Sequence, residues 1–349
     1  MDDISISRYK ARTSKGWGLG QKKRIGDPFH SKDEDLTPWY KEGFEAPLFM
    51  EWLSSFDEKY PTPENIKTKD FEELLKYSEN ILLDACKLIV PFLDKEKWKK
   101  EAIGQAHMRC QDYAFIKTYA KDLKKGCHHL DLGPGLGSHA IYSLKALEAN
   151  YTGIEAQTHT YKVQRLFFRY LISKLQITSQ KNFGFYDCVD AETFGLTWEE
   201  IKKNIKNDNS LKIKLVPSWM FELVPDNSVD LVTATMMLNE IPTAAILWLF
   251  SNCTRVMKKG SYFYINDNNK QKNEKELKPF RNIMDYDKFL TQLGFIEVKR
   301  MNMENRVNYR GSPRIYRKDS EKHISYEEIV DMHVGKFAVT AHGMHNVSK

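Results

Sequence analysis

Seven residues at positions 131 to 137 read Asp-Leu-Gly-Pro-Gly-Leu-Gly, and they constrain the fold more than any other stretch of the chain. They follow an apolar run, Cys127 to Leu132, which we predict as a strand. They precede Ser138 to Glu148, where apolar residues recur at helical spacing. Glycine permits positive φ and lets a ligand approach bare backbone at such a strand-to-helix turn. The stretch therefore predicts a ligand-binding loop in an α/β fold.

A second predicted strand, Tyr151 to Glu155, restricts the class of ligand that the loop could bind. It ends in an acid 24 positions after Asp131, about where a doubly wound α/β fold places the carboxylate that binds a ribose diol. The lysine and the Ser/Thr of a phosphate-binding P-loop are absent, and so is the full G-x-G-x-x-G spacing. These absences disfavour a triphosphate or a dinucleotide.

Together these features resemble the cofactor site of class I S-adenosylmethionine-dependent methyltransferases. Residues 227–234 (NSVDLVTA) are similar to the fourth strand of that family, and residues 255–267 (RVMKKGSYFYIND) are similar to its next helix, glycine turn and fifth strand. Residues 293–298 resemble its final antiparallel hairpin, so the likeness covers roughly residues 105–318. It implies an α/β fold with a Rossmann-like seven-stranded sheet, mostly parallel with an antiparallel last strand, beside an N-terminal helical cap.

The resemblance also implies a set of residues that bind S-adenosyl-L-methionine. The loop would surround the methionine part, Glu155 would bind the ribose hydroxyls, and Ser218 with Trp219 would contact adenine. Two structural alternatives stay open, namely a tight turn that serves packing alone and a core aromatic role for Trp219. The implied cofactor set is Asp131, Gly133, Pro134, Gly135, Gly137, Glu155, Ser218, Trp219 and Met236.

Three side chains are candidates for catalysis, ranked Asp267 and Glu240 first and His139 after them. Asp267 and Glu240 follow the fifth and fourth strands, where ligands gather in open α/β sheets. His139 begins the helix after the glycine loop and could instead have a surface or capping role.

A divalent metal is the less favoured alternative and stays open: Asp267 and Asn268 resemble the paired ligands of magnesium-dependent O-methyltransferases, and Glu240 would have to supply the third carboxylate or amide ligand. The partner carboxylate of that pattern is missing at Thr235 and Met236. His128 and His129 cannot hold one ion together, because neighbours on a strand point to opposite faces.

The sequence divides into four regions. We predict an aromatic-rich N-terminal arm or lid over 1–60, a helical cap over 61–125, a core over 126–318 and a C-terminal extension over 319–349. The core carries an insertion at 157–210, followed by a third strand at 211–216. Within the insertion we predict helices at 161–175 and 197–205, and Thr197 with Glu200 would form a capping box on the second.

Length and composition agree with one large or two ordinary domains of an intracellular protein. The 349 residues are 41% hydrophobic, and the five cysteines include no C-x-x-C pair. The absence of a signal peptide and of a long apolar run predicts a soluble, cytoplasmic protein. The net charge of +6 is concentrated in residues 1–24 and 299–318, which could bind nucleic acid or an acidic polymer or could simply be solvated.

Missing motifs narrow the class of molecule that would accept the methyl group. The chain lacks the Pro-Pro-aromatic motif of DNA amino-methyltransferases and the paired-glutamate loop and Thr-His-Trp motif of protein arginine methyltransferases. A small molecule or a glycan remains, and the overall layout is most similar to bacterial sugar O-methyltransferases. The alternatives are an RNA methyltransferase, favoured by the basic segments, and a non-catalytic binding protein with this fold.

Overall fold

The structure is a computed structural model that describes residues 69–89, 95–156, 158–179, 184–207, 210–238, 241, 243–267, 286–301, 312–334, 337–340 and 343–346. The predicted N-terminal arm, Glu240 and Asn268 therefore lie outside the described residues. The strands are β1 His128–Leu132, β2 Asn150–Glu155, β3 Gly184–Asp187, β4 Leu211–Pro217, β5 Val229–Thr235, β6 Met257–Asp267, β7 Phe295–Arg300, β8 Ser312–Lys318, β9 Phe337–Thr340 and β10 Gly343–Asn346. The helices are α1 Lys69–Ile89, α2 Lys95–Tyr119, α3 His139–Ala146, α4 Thr158–Ser179, α5 Cys188–Thr193, α6 Trp198–Asn207, α7 Thr243–Val256, α8 Tyr286–Gln292 and α9 Tyr326–Val334, with a 3-10 helix at Ser218–Leu223.

One sheet of eight strands forms the centre of the molecule, in the order β3-β4-β2-β1-β5-β6-β8-β7. The strands from β3 to β6 are mutually parallel, whereas β8 runs antiparallel to β6 and to β7. This is the predicted mostly parallel sheet with an antiparallel last strand. It has one strand more than the predicted seven, because β3 comes from the insertion and adds an edge.

Strand β2 follows β1 in sequence and pairs with one edge of it, whereas β5 comes later in the chain and pairs with the opposite edge. Such a change of direction opens a crevice at the carboxyl ends of the strands, where open α/β sheets bind ligands. The predicted glycine loop follows β1 and so lies at this switch point.

Helices cover both faces of the sheet, and each face has its own apolar core. On one face, α1 to α4 contribute buried residues such as Phe115, Tyr142 and Phe168. On the other, α6 to α9 and the 3-10 helix contribute residues such as Phe221 and Phe250. Burial of this apolar surface is the main force that holds the three layers together.

Helix α2 is buried on several sides, which explains why its sequence has no single apolar stripe. Its small residues Ala102, Ala106 and Ala114 are almost inaccessible, and it packs against α1, α3 and β8. The second helix of the predicted cap is thus an integral layer of the core.

The capping box predicted in the insertion is confirmed. The backbone N–H of Thr197 donates to Glu200 Oε2 at 2.8 Å, and the N–H of Glu200 donates to Thr197 Oγ1 at 3.3 Å. These bonds satisfy donors that would otherwise be unpaired in the first turn of α6.

All five cysteines lie in the described part of the chain, and none of them forms a disulfide there. No helix within the described ranges is both long enough and apolar enough to cross a membrane.

Candidate active site

The carboxyl ends of five parallel strands bring most of the predicted site residues to one edge of the sheet. In the register, Leu132 of β1 pairs with Ile154 of β2 and with Ala234 of β5. Glu155 pairs with Pro217 of β4, so Ser218 and Trp219 begin directly beyond it. On the other side of β1, Met236 and Asp267 follow β5 and end β6.

The glycine loop has the backbone that the sequence predicts. Gly133, Gly135 and Gly137 have φ values of 59°, 60° and 79°, a left-handed region that side chains seldom adopt. The N–H of Gly133 donates to the carbonyl of Ile154 at 2.9 Å and fastens the start of the loop to β2. A Cβ on Gly137 would lie 2.5 Å from Phe168 Cε1, so this position also excludes larger residues by contact.

Glu155 is held in place by a residue that sequence reasoning did not select. Gln164 of α4 donates through Nε2 to Glu155 Oε2 at 2.8 Å and to the carbonyl of Gly135 at 2.7 Å. The N–H of Ala156 donates to Glu155 Oε1 at 2.7 Å. These bonds fix the orientation of the Glu155 carboxylate beside the glycine loop.

The residues predicted near adenine lie beside Glu155. Ser218 is buried, and its Oγ has no hydrogen-bond partner among the described residues. Trp219 is partly buried and packs against the apolar cores of both faces. Pro134 lies over β2, because a Cβ on Gly153 would come within 3.1 Å of its Cγ.

Asp131 is fully buried, and its carboxylate turns into the protein. Thr233 Oγ1 donates to Oδ1 at 2.6 Å, while the Tyr151 hydroxyl at 2.7 Å and His139 Nδ1 at 3.1 Å contact Oδ2. Burial acts to raise the pKa of Asp131, but the charge and hydrogen bond of His139 outweigh it and lower the pKa. The Asp131 side chain is therefore an anion that supports the start of the glycine loop from inside the protein.

A second buried carboxylate, Asp112 of α2, continues this arrangement. Arg109 Nη1 donates to Asp112 Oδ2 at 2.9 Å and to Thr235 Oγ1 at 2.8 Å. Tyr264 and Asn266 donate to Asp112 Oδ1 at 2.6 and 2.8 Å. We call the resulting set the buried polar network, and it comprises Arg109, Asp112, Asp131, His139, Tyr151 and Thr233.

His139 lies inside this buried polar network and not at the sheet edge where a ligand would bind. It is 5% exposed, and its ring contacts Asp131 through Nδ1 and Asp112 through Nε2 at 3.2 Å. A ring with both nitrogens engaged by buried carboxylates fits a positioning role better than the proton-transfer role that the sequence suggested.

The neighbouring histidines have separate structural partners, as strand alternation predicts. His129 bonds to Ser143 and, at 2.8 Å, to Thr233, whereas His128 bonds to Thr152 at 2.9 Å. Burial lowers the pKa of His128 to about 4 and that of His129 to about 3, so both rings are neutral.

Two features mark the ends of β5 and β6, where Met236 of the predicted cofactor set and the candidate base Asp267 lie. Met236 has φ 56°, a strained value for a side-chain-bearing residue, and its N–H donates to the carbonyl of Asn266 at 2.9 Å. Asp267 is buried, and its carbonyl accepts from Arg314 Nη1 at 3.2 Å. Among the residues that the structure describes, no cluster of three or more His, Cys, Asp or Glu could hold a metal ion.

Gln164, Asp112 and Thr233 are among the site residues that the sequence analysis missed. Gln164 is a polar residue beside Val163 and Phe167 on the buried, apolar side of α4. A polar residue at such a position could have indicated a specific hydrogen-bonding role. Asp112 and Thr233 carried no such signal, because their partners are distant in sequence.

The strand order, the glycine loop and the acid that ends β2 define a Rossmann-like fold of the methyltransferase type. No family model matches this sequence, and no curated protein sequence matches it.

Solved structures of similar fold include several methyltransferases and a [4+2]-cyclase. A candidate sarcosine dimethylglycine methyltransferase from Galdieria sulphuraria is 11% identical, with 64% of this chain and 88% of that chain covered and a TM-score of 0.41. Phosphoethanolamine N-methyltransferase 2 of Haemonchus contortus, in complex with S-adenosylhomocysteine, is 14% identical, with 72% and 60% covered and a TM-score of 0.37. A SAM-dependent methyltransferase from Aquifex aeolicus is 14% identical, with 72% and 100% covered and a TM-score of 0.34. The substrates in those names belong to those proteins.

Proposed function

We propose that this protein is an S-adenosylmethionine-dependent O-methyltransferase acting on a sugar or a sugar-containing small molecule. The observation that carries the proposal is the pairing of Glu155 with the left-handed glycine loop at the switch point of the sheet. Gln164 ties the two together, so a carboxylate suited to a ribose diol lies beside backbone that a ligand can approach closely.

The donor set fits an adenosyl group bound through its nucleoside. Glu155 offers acceptor sites, and two buried atoms beside it, Ser218 Oγ and Gln164 Oε1, have no partner within the described ranges. A nucleoside would satisfy such atoms, which otherwise cost free energy when buried. Trp219 supplies an aromatic surface at the same place.

The chemistry asks little of the protein beyond alignment. Bound adenosylmethionine would supply an electrophilic sulfonium methyl group; as the acceptor oxygen forms its bond to this methyl, the sulfur–methyl bond would break and S-adenosylhomocysteine would leave. The chain would hold the acceptor at the ends of β5 and β6 and remove its proton. Asp267 is our first candidate for that base, and Glu240, outside the described residues, is the second.

One finding favours a small acceptor over RNA. Two cations of the basic segment 299–318, Arg314 and Lys318, are buried and bond inside the protein, and Arg300 is paired with an acid. Arg314 is fully buried and bonds to Asp287 at 2.8 Å, Arg300 bonds to Asp287 at 2.5 Å, and Lys318 donates to the carbonyls of Thr254 and Met257. Phosphate binding needs cations that are free to displace counterions.

Calorimetry with S-adenosylhomocysteine tests the donor half of the proposal. Glu155→Gln removes the negative charge but keeps the shape, so affinity should fall about 10- to 100-fold, as expected for a charge-assisted hydrogen bond. Glu199→Gln, at an exposed position on α6, is the matched control and should bind as the wild type does. Equal affinity for the two variants would remove Glu155 from the site.

Labelled adenosylmethionine and a pool of nucleotide-sugars test the acceptor half. We expect one sugar to gain methyl groups, and Asp267→Asn should lower turnover while cofactor affinity is unchanged. Methylation of generic RNA and of no sugar would support the alternative enzyme. Cofactor binding without any acceptor would support a binding protein.

A further inference from the structure

The ring of His139 is held between two carboxylates from different parts of the chain. Its Nδ1 lies 3.1 Å from Asp131 Oδ2, and its Nε2 lies 3.2 Å from Asp112 Oδ2. An ionised carboxylate can only accept hydrogen bonds, so both ring nitrogens must donate. The geometry therefore requires a doubly protonated, positively charged imidazolium.

Charge balance leads to the same conclusion. Asp112 and Asp131 bring two negative charges into a region with almost no solvent contact, and Arg109 brings one positive charge, 2.9 Å from Asp112. A positive His139 makes the set neutral, whereas a neutral ring would leave one buried charge uncompensated. Uncompensated buried charge is strongly unfavourable.

The titratable groups that contact His139, directly or through one neighbour, belong to α2, β1, β2 and β6. They are Arg109 and Asp112 of α2, Asp131 and His129 of β1, Tyr151 of β2 and Tyr264 of β6, which reaches the ring through Asp112. Burial acts to lower the pKa of His139, but the charge of Asp131 and the hydrogen bonds to both carboxylates outweigh it and raise the pKa.

The position of His139 gives this charge a consequence for the loop. It begins α3 two residues after Gly137, and Asp131 precedes the loop at the end of β1. Asp112 belongs to α2, which is anchored to β6 by Tyr264 and Asn266. The imidazolium thus joins both ends of the glycine loop to α2, a helix that does not belong to the unit of β1, glycine loop and α3.

We propose that His139 is a positioning residue: as an imidazolium between Asp131 and Asp112, it clamps the cofactor loop to α2, so that its charge controls cofactor affinity. This inference rests on the proposed function, because it takes the loop as the binding site for adenosylmethionine. His139 contacts neither the cofactor nor the reacting atoms in this role.

The sign of the pH dependence follows from the raised pKa. When the pKa of a histidine in the folded protein lies above its ordinary value of about 6.5, the stabilisation from its charged ring is complete at pH values below 6.5. The contribution is lost as pH rises through the folded pKa. We therefore expect affinity for S-adenosylhomocysteine to be highest at neutral pH and to weaken in the alkaline range.

Nitrogen-15 NMR of the full-length wild-type protein tests the charge directly and needs no ligand. With labelled histidines at pH 8, we expect one buried ring to keep two slowly exchanging N–H protons. The same signal should be absent from His139→Gln and present in His323→Gln, an exposed control. A His139 ring with one N–H at pH 8 would overturn the inference, whether or not the protein binds the cofactor.

Calorimetry with S-adenosylhomocysteine from pH 7 to pH 9.5 tests the clamp. We expect His139→Gln to bind at least tenfold more weakly at pH 7 and to lack the alkaline weakening of the wild type. Comparison of the two proteins cancels the titration of the ligand itself. Should His139→Gln not fold, Asp112→Asn gives the second variant, and its pH profile should also be flattened.

The outcomes separate the two proposals. A wild-type protein that binds no S-adenosylhomocysteine at any pH refutes the proposed function. Wild-type binding with a pH profile that His139→Gln reproduces refutes the positioning role alone.

Discussion

Gly137 is the position where the structure makes the sharpest stability prediction. Its φ of +79° is left-handed, which costs about 1–2 kcal/mol for a residue with a Cβ. The new Cβ of Gly137→Ala would also lie 2.5 and 2.6 Å from two ring atoms of Phe168. Phe168 is fully buried, with aromatic rings of Tyr151 and Phe185 at centroid distances of 5.7 and 6.1 Å, so it has little room to move. Overpacking of this kind adds about 1–3 kcal/mol.

Gly126 provides a matched control with the same backbone and no clash. It also has φ +79°, and a Cβ there would meet nothing within 4 Å. We expect Gly126→Ala to lose about 1–2 kcal/mol of unfolding free energy and Gly137→Ala to lose about 2–5 kcal/mol. Urea unfolding followed by circular dichroism would measure both values. Equal losses would show that the Phe168 contact does not shape the loop.

Three further predictions concern single interactions. Tyr151→Phe removes a hydrogen bond to the charged Asp131 and should cost about 1.5–3 kcal/mol, whereas Tyr142→Phe removes one to the neutral carbonyl of Ala106 and should cost about 0.5–1.5 kcal/mol; the reverse order in urea unfolding would contradict the ionised state of Asp131. Met236→Gly relieves a left-handed backbone and should leave the unfolding free energy unchanged or raise it by up to about 1 kcal/mol, so a loss would mean that the side chain is needed for packing. Thr197→Ala removes the capping box of α6 and should cost about 0.5–2 kcal/mol, seen as faster amide hydrogen exchange in the first turn of that helix and not elsewhere.

The sequence was sufficient for features that depend on local pattern. The strand before the glycine loop and the capping box at Thr197 follow from patterns within a few residues, so that the backbone preference and the side-chain chemistry lie in the same segment. The acid that ends β2 follows from its spacing of 24 positions after Asp131, which the strand-loop-helix-strand unit fixes.

The sequence was insufficient where partners are distant or elements are very short. Strand β3 has only four residues, too few for an alternating pattern, so the added edge of the sheet was missed. The role of His139 depends on Asp112, 27 residues earlier, and that of Asp131 depends on Thr233, 102 residues later. Such pairings are set by the sheet topology and leave no periodic trace.

Binding of S-adenosylhomocysteine to the full-length protein at neutral pH, measured by calorimetry, is the most direct test of the cofactor site. Residues 131–137 and Glu155 predict one site per chain, with a dissociation constant on the order of 10 μM or below. Glu155→Gln should weaken it and Glu199→Gln should not. Absence of binding at a ligand concentration of several hundred micromolar, about 20 times that constant or more, would contradict the account.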